Sequence, residues 1–359
     1  MSAYEPFIHG RVLMGIESAL LGGIAEISIH VPELAPSIRY FEAQGYRVSD
    51  IGEMPANDTK ALYDVGYDLR AVRLSHHDAD SGLIRLMFWD GRQQQPAAPW
   101  HFGDNGARWS VQRTASLLTI ATHAEVARRK GVAIKTLGPA LRMTPEQFRQ
   151  ADPFAAPISA YRILGLVHPL YRQLMIQALP DEPMLETTDS TDKIMLQCGS
   201  ISQVGLTLHS PYAENLAFYE DVLGFVRSED RAVEPDEGRQ MSCIFGAKAA
   251  QGYRVFGLDS PASLTNEPGA VSHCRLSIVA LDSVEERVEP AASEPGTMHA
   301  PGAFGYGAYT LRVGDIDAMH RRVAGSKALT LSEIVSDEFG QRAFIFTAPD
   351  CLRWKAVQI

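Results

Sequence analysis

The chain has 359 residues, 45% of them apolar, which is enough for two ordinary domains each with its own core. Its 33 basic against 43 acidic residues give a formal charge of -10, and no run of Lys and Arg with interleaved aromatics offsets it, which speaks against nucleic acid as a partner. No stretch approaches the roughly 20 continuous apolar residues that cross a bilayer, and the first residues carry Glu5 and His9 rather than a basic start, so no membrane partner and a cytoplasmic location are expected.

In chain order, the first strong pattern is residues 25–31, whose β-branched, alternating character predicts a strand. Pro32 and Glu33 start a helix with Leu34, Ile38 and Phe41 as its apolar stripe, and Gly45 ends it. A short helical insertion at 56–65 precedes strands at 67–75 and 83–89. His76 and His77 adjoin at a strand end, point to opposite faces, and read as a turn rather than a chelate. A second unit opens with a strand at 115–122 leading into a helix at 124–130 that Gly131 terminates. Residues 141–160 hold a helix with Thr144 as N-cap and Pro145 in its first turn, and a strand at 171–178 closes the unit. The segment 180–192, with its Pro, Asp, Glu, Ser and Thr, reads as a linker.

The order then starts again. Residues 202–208 form a strand, Pro211 opens a helix with Leu216, Tyr219 and Leu223 on its buried face, and Gly224 stops it. A short helix at 236–246 and strands at 253–259 and 273–279 mirror the first unit. Residues 309–313 lead into a helix at 315–324 with Asp315 as N-cap, and 352–359 is the closing strand. The repetition predicts two domains, 1–185 and 186–359, of two β-α-β-β-β modules each: about 23–91 and 108–179, then about 200–282 and 303–359. Gly302, Gly305 and Gly307 lack the strand-then-helix context of a nucleotide loop and read as a rim. Cys198, Cys243, Cys274 and Cys351 are far apart with no CxxC pair, so they are expected as small buried hydrophobes rather than a disulfide framework or a zinc cluster.

Two stretches carry a resemblance. Gln203-Val-Gly-Leu-Thr-Leu-His209 followed by Leu216-Ala-Phe-Tyr-Glu-Asp-Val-Leu-Gly-Phe225 resembles the opening of a vicinal oxygen chelate module, the superfamily of glyoxalases, bleomycin resistance proteins and extradiol dioxygenases. Tyr309-Thr-Leu-Arg-Val-Gly-Asp-Ile-Asp-Ala318, Gly340-Gln-Arg-Ala-Phe-Ile-Phe346, Pro349-Asp350 and Arg353-Trp-Lys-Ala-Val-Gln358 are similar to its usual closing module. The likeness is strong in the second half, fair in module one and weak in module two. It implies an α+β fold of four βαβββ modules paired into two cup-shaped mixed sheets, with a small-molecule site in the concavity and metal ligands on the first and last strands of the modules.

By that alignment the first-strand positions are Glu26, Ser116, Gln203 and Ala308, and the last-strand positions are Arg85, Leu174, Arg275 and Lys355. Only Glu26 and Gln203 are donors of the right type, and a cation beside Arg275 and Lys355 would be repelled. The usual metal site is therefore not expected, and Gln203, His273 and Glu26 are the weaker alternative set for iron, manganese or zinc. In the first cup, alternation places Glu26, Ser28 and His30 on one strand face, with Glu26 paired to Arg85. In the second cup it gathers Gln203, Thr207, His209, His273, Arg275, Arg312, Arg353 and Lys355, a basic set that favours an anionic or enolate-like ligand. Without a metal, Arg275 and Lys355 would stabilise an oxyanion while His273, His209 or Glu26 moves a proton. Gln203, Thr207, Arg312, Arg353, Tyr309, Arg85 and His30 would then contact substrate.

The function expected is an enzyme of the lyase, isomerase or cyclase type acting on a small anionic or aromatic oxygenated metabolite. Two alternatives stay open: a metal-dependent ring-cleaving dioxygenase or glyoxalase-type enzyme, and a metal-free drug-binding or resistance protein. In the latter, Trp89, Trp100, Trp109, Tyr306 and Tyr309 would stack on the ligand. The expected partner is a small molecule, and a homodimer is compatible with this reading.

Overall fold

The computed structural model describes residues 21–77, 79–91, 101–143, 145–152, 158, 160–179, 195–246, 252–261, 274–281 and 301–359. His273, Thr144, Trp100 and the predicted linker at 180–192 lie outside them.

Module one comprises β1 (Gly23–His30), α1 (Leu34–Glu42), β2 (Tyr46–Met54), α2 (Ala56–Tyr63), β3 (Leu69–His76) and β4 (Leu83–Trp89). Module two comprises β5 (Arg108–Thr114), α3 (Leu117–Arg129), β6 (Lys135–Arg142), α4 (Pro145–Gln150), β7 (Ala160–Val167) and β8 (Arg172–Leu179). Module three comprises β9 (Cys198–His209), α5 (Ala213–Ala217) running into a π-turn at Phe218–Val222, β10 (Val226–Val233), α6 (Pro235–Phe245), β11 (Tyr253–Asp259) and β12 (Arg275–Leu281). Module four comprises β13 (Gly305–Val313), α7 (Ile316–Ala324), β14 (Thr330–Leu331), β15 (Val335–Ser336), β16 (Arg342–Thr347) and β17 (Arg353–Gln358).

Asp315 caps α7 as its sequence position predicts, its carboxylate accepting from the Ala318 amide at 2.8 Å. Ser116 is a correction. It was placed on the first strand of module two but caps α3, accepting from the Thr119 amide at 3.2 Å, and the strand is β5, nearer the N-terminus. The apolar run after Ser116 satisfies helical spacing as well, and Leu117, Ile120 and Ala124 are the residues it buries. The helix expected within 141–160 is α4, which starts at Pro145; it lies between the end of β6 and the start of β7, which pair antiparallel.

Two curled mixed sheets result, ordered β14-β16-β17-β13-β1-β4-β3-β2, with β15 on β16, and β10-β11-β12-β9-β5-β8-β7-β6. In every module the first strand runs parallel to the last, as β1 does to β4 and β13 to β17. The modules then join through antiparallel first strands, β1 with β13 and β5 with β9. Module one therefore shares its cup with module four, and module two with module three. This corrects the expectation that Arg312, Arg353 and Lys355 share a cup with Gln203 and Arg275. Nothing local in a first strand says which other first strand will meet its free edge, because that choice is made by long-range closure of the chain.

Alternate residues of the central strands, Ile27, Ile29, Leu206, Leu208, Tyr309 and Leu311, fall in one apolar core common to both sheets, where Phe41, Leu216 and Met319 from the helices also pack. The opposite faces are the concave ones. Cys198 and Cys274 are buried as expected, whereas Cys243 and Cys351 are exposed, which corrects the reading of all four as core residues. No helix among the described residues is long and apolar enough to cross a membrane.

Candidate functional site in the cup of modules one and four

The register of five strands fixes what faces this cup. Glu26 on β1 lies opposite Thr310 on β13, which in turn lies beside Lys355 on β17, while Ser28 on β1 lies beside Arg85 on β4. Arg73 on β3 is the cross-strand partner of Arg85. Two further pieces reach in from outside the sheet: Tyr63, at the last turn of α2, and Asp337 with Glu338, on the turn between β15 and β16.

These groups form one buried ionic network. Arg85 donates from Nε to Glu26 Oε2 at 2.8 Å and from Nη1 to Glu338 Oε1 at 2.6 Å and Asp337 Oδ2 at 3.3 Å. Lys355 Nζ donates to Asp337 Oδ2 at 2.8 Å and to the Tyr63 hydroxyl at 2.7 Å, and lies 3.5 Å from Glu338 Oε2. Tyr63 donates onward to Glu338 Oε2 at 2.6 Å. Arg73 holds Glu26 Oε1 at 2.9 Å and, with its other nitrogens, Asp50 and Gln341. Arg85 and Lys355 are both 0% exposed, so each charge depends on its protein partners rather than on water. Three carboxylates, Glu26, Asp337 and Glu338, face three cations, Arg73, Arg85 and Lys355.

The charges set the titration. Burial alone would raise the Glu26 carboxyl, but Arg85 and Arg73 outweigh it and hold it at about 2. Asp337 and Glu338 are lowered against the same burial penalty, Asp337 chiefly by Lys355 and Glu338 chiefly by Arg85. Burial, reinforced by Arg85, pulls the Lys355 ammonium below its ordinary value despite both carboxylates. Burial and the Glu338 charge push the Tyr63 phenol well up, so it stays a donor. A carboxylate lowered on folding adds stability that is complete above its unfolded value and lost as the pH falls through the folded one. Glu26 accordingly contributes about 3 kcal/mol at neutral pH, lost between its ordinary 4.5 and about 2. Glu26→Gln is expected to lower stability by about that amount at pH 7 and to flatten the acid limb, read by urea denaturation across pH 2 to 7.

The remaining candidates disperse. His30 stays on the Glu26 face as alternation predicts, edge-on to Trp89 at 5.5 Å, where the absence of a side chain at Gly307 makes room for its ring. Arg353 donates to the Tyr63 carbonyl at 2.9 Å at the edge of the network, and burial lowers it to about 10. Arg312 instead donates to the Asp80 carbonyl. Tyr309 is corrected to the core between the sheets, where its hydroxyl donates to the Gly205 carbonyl at 2.7 Å.

In the other cup, Gln203 and Arg275 are neighbours across β9 and β12, but Lys355 belongs to a different sheet, so the expected Arg275–Lys355 pair is not formed. Arg275 grips Asp259 through two bonds of 3.0 Å, Thr207 donates to the Phe102 carbonyl, and His209 Nε2 meets the Gly103 carbonyl at 2.9 Å. The floor of that cup is apolar: Phe102, Trp109, Val279 and Leu281 pack with Ile244 and Phe245 of α6. Sequence reasoning missed Tyr63, Arg73, Asp337 and Glu338. The one usable signal was the pair Asp337-Glu338 set in a turn before Gly340, directly ahead of a strand of the recognised closing module.

Residues 209–355 match the family model described as the Glyoxalase/Bleomycin resistance protein/Dioxygenase superfamily. The matched stretch runs from the end of β9 to β17, so this likeness is carried by modules three and four. No curated protein sequence matches the chain. Among solved structures of the glyoxalase/dioxygenase type, a glyoxalase I variant from Zea mays is similar at 14% identity and a TM-score of 0.52, covering 94% of this chain and 92% of that one. A Bacillus subtilis protein provisionally assigned as a dioxygenase is similar at 10% identity and a TM-score of 0.51, covering 95% of this chain and 86% of that one. At these identities the likeness is one of fold: two cups of curled sheet in an α+β chain.

The ligand positions implied by the resemblance fall in this cup on Glu26, Ala308, Arg85 and Lys355, with the correction that Thr310 rather than Ala308 lies opposite Glu26. They do not fit a divalent cation. The Glu26 carboxylate is already shared between two guanidiniums, and an ammonium and a guanidinium stand where further donors would be needed. Among the described residues, no group of three or more His, Cys, Asp or Glu side chains is arranged to hold a metal.

Proposed function

We propose that the protein is a metal-independent member of the superfamily acting on a small oxygenated anion, as a lyase or isomerase, in the cup of modules one and four. The observation that carries this reading is the pair of buried cations, Arg85 and Lys355, converging on the carboxylates of Asp337 and Glu338 at 2.6 to 3.5 Å. Such a pair neutralises an oxyanion in a low-dielectric setting, where it acts most strongly. The Tyr63 hydroxyl, bonded to Lys355, supplies a proton at that oxygen, and the lowered ammonium value suits Lys355 to replenish it. Glu26, held ionised by two guanidiniums, is better suited to positioning Arg85 and Arg73 than to moving a proton.

A second reading, capture of a small molecule without turnover, is favoured by the complete burial of Arg85 and Lys355. The two are separated by assaying chelator-treated protein against a panel of small oxygenated acids. Turnover is expected to survive the chelator and to fall about 100-fold or more in Tyr63→Phe, which keeps the ring and removes the hydroxyl. Saturable binding with no product would favour capture. Activity lost to the chelator and restored by iron, manganese or zinc would overturn the metal-independent reading.

A further inference from the structure

Glu338 and Asp337 are neighbours in one turn, yet they are held differently. Asp337 is built into the backbone, its Oδ1 accepting from the amides of Phe339 and Gln341 at 2.9 Å each. The Glu338 carboxylate is held by side chains of the cup: Arg85 on one oxygen, Tyr63 and Lys355 on the other. A carboxylate gripped in this way by a guanidinium, a phenol and an ammonium is recognised as an anion, through charge-assisted bonds that any free carboxylate would make equally well.

A second observation lies on the same face. Ser28 Oγ, Thr310 Oγ1 and Trp89 Nε1 are buried without a hydrogen-bond partner among the described residues, and Ser28 and Thr310 are each 1% exposed. Ser28 flanks Arg85, and Thr310 flanks Glu26 and Lys355. Buried polar groups are nearly always paired, so three orphans around one charged cluster mark a place where a polar guest belongs.

We infer that the cup contains a recognition site for a small carboxylate bearing a second oxygen, and that the Glu338 side chain is its resident occupant. The inference rests on the reading of this cup as the functional site. A ligand enters by exchange: the turn at 338–341 lifts away from Asp337, which stays on Lys355, Glu338 leaves the Arg85–Tyr63–Lys355 clamp, and the incoming carboxylate takes its place. The hydroxyl or carbonyl oxygen of the ligand then pairs with the orphaned donors. No bond is made or broken, and the net charge of the cluster is unchanged, because one carboxylate replaces another.

Lactate, with propionate as the analogue lacking the second oxygen, is the probe, titrated by calorimetry at fixed ionic strength. Glu338→Gln keeps the shape and removes the competing charge, so lactate is expected to bind it about tenfold or more tightly than wild type, the gain expected when a competent state no longer has to be unmasked. Propionate should bind the same variant several-fold more weakly than lactate. Equal lactate affinity in wild type and a folded Glu338→Gln, or no saturable binding in either, overturns the proposal; equal lactate and propionate affinities overturn the role of the orphaned donors.

Hydrogen exchange on the wild-type protein gives a readout that needs no variant. Saturating lactate should speed exchange at the Phe339 and Gln341 amides relative to the same concentration of sodium chloride, and no change would overturn the exchange mechanism. Lactate binding with no turnover of any oxygenated acid leaves this site standing and removes only the enzymatic reading. Turnover whose rate is unaffected by lactate or by Glu338→Gln does the reverse.

Discussion

Arg85→Met is expected to destabilise the protein by about 3 to 5 kcal/mol, the range for removing one partner from a buried charge network. Arg85 is the hub, since its guanidinium reaches Glu26, Asp337 and Glu338 at 2.6 to 3.3 Å and also lies 3.3 Å from the Tyr63 hydroxyl. Without it, three buried carboxylates face only Arg73 and Lys355, and methionine fills much of the volume while compensating none of the charge. Urea denaturation at pH 7 measures the loss. The penalty should shrink as the pH falls below the ordinary carboxylate range, because protonation relieves the uncompensated charge. A double variant, Arg85→Met with Glu338→Met, should recover a substantial part of it, since cation and anion leave together. If the single variant costs under about 1 kcal/mol, the network is not the buried, mutually dependent unit described.

The second large effect is expected in the other cup. An ideal Cβ on Gly205 would sit 1.9 Å from Cε2 and 2.0 Å from Nε1 of Trp109, its cross-strand partner. The indole cannot step aside easily: it is almost fully buried, with Phe245 at 5.6 Å and Phe102 at 6.0 Å between ring centroids. The Gly205 backbone is fixed as well, its carbonyl accepting from Tyr309 across the core. Gly205→Ala is therefore expected to cost about 3 kcal/mol through overpacking, at the upper end of what one added methyl does. Trp109→Leu added to Gly205→Ala should cost less than the sum of the two single changes, because the clash is gone. Thermal unfolding of the four proteins of this cycle tests it, and strict additivity would show that the contact is not what limits the site.

Much of the architecture is legible in residue order. The two module openings, with Phe41 and Tyr219 on apolar helix stripes, the Asp315 cap and the closing strand at Arg353–Gln358 all follow from periods and caps that act within a dozen residues. Period-two alternation likewise puts Glu26, Ser28 and His30 together and brings Arg85 to Glu26. Module two is less legible because its apolar run after Ser116 fits both helix and strand, and β6 and β7 carry weak signals.

What the residues alone determined is thus the order of the modules, the shared face of Glu26, Ser28 and His30, and the cationic character of Arg85 and Lys355 at strand positions where a ligand set was expected. Only the tertiary structure decided that β1 meets β13 rather than β5, which brings Lys355 to Arg85 and parts it from Arg275. It also decided that α2 and the turn at 337–341 deliver Tyr63, Asp337 and Glu338 to that cup. The reason is physical: a strand's facing follows from its own backbone period, whereas its neighbour depends on which free edge the closing chain brings near, and a burial that neutralises three carboxylates against three cations exists only after that choice is made.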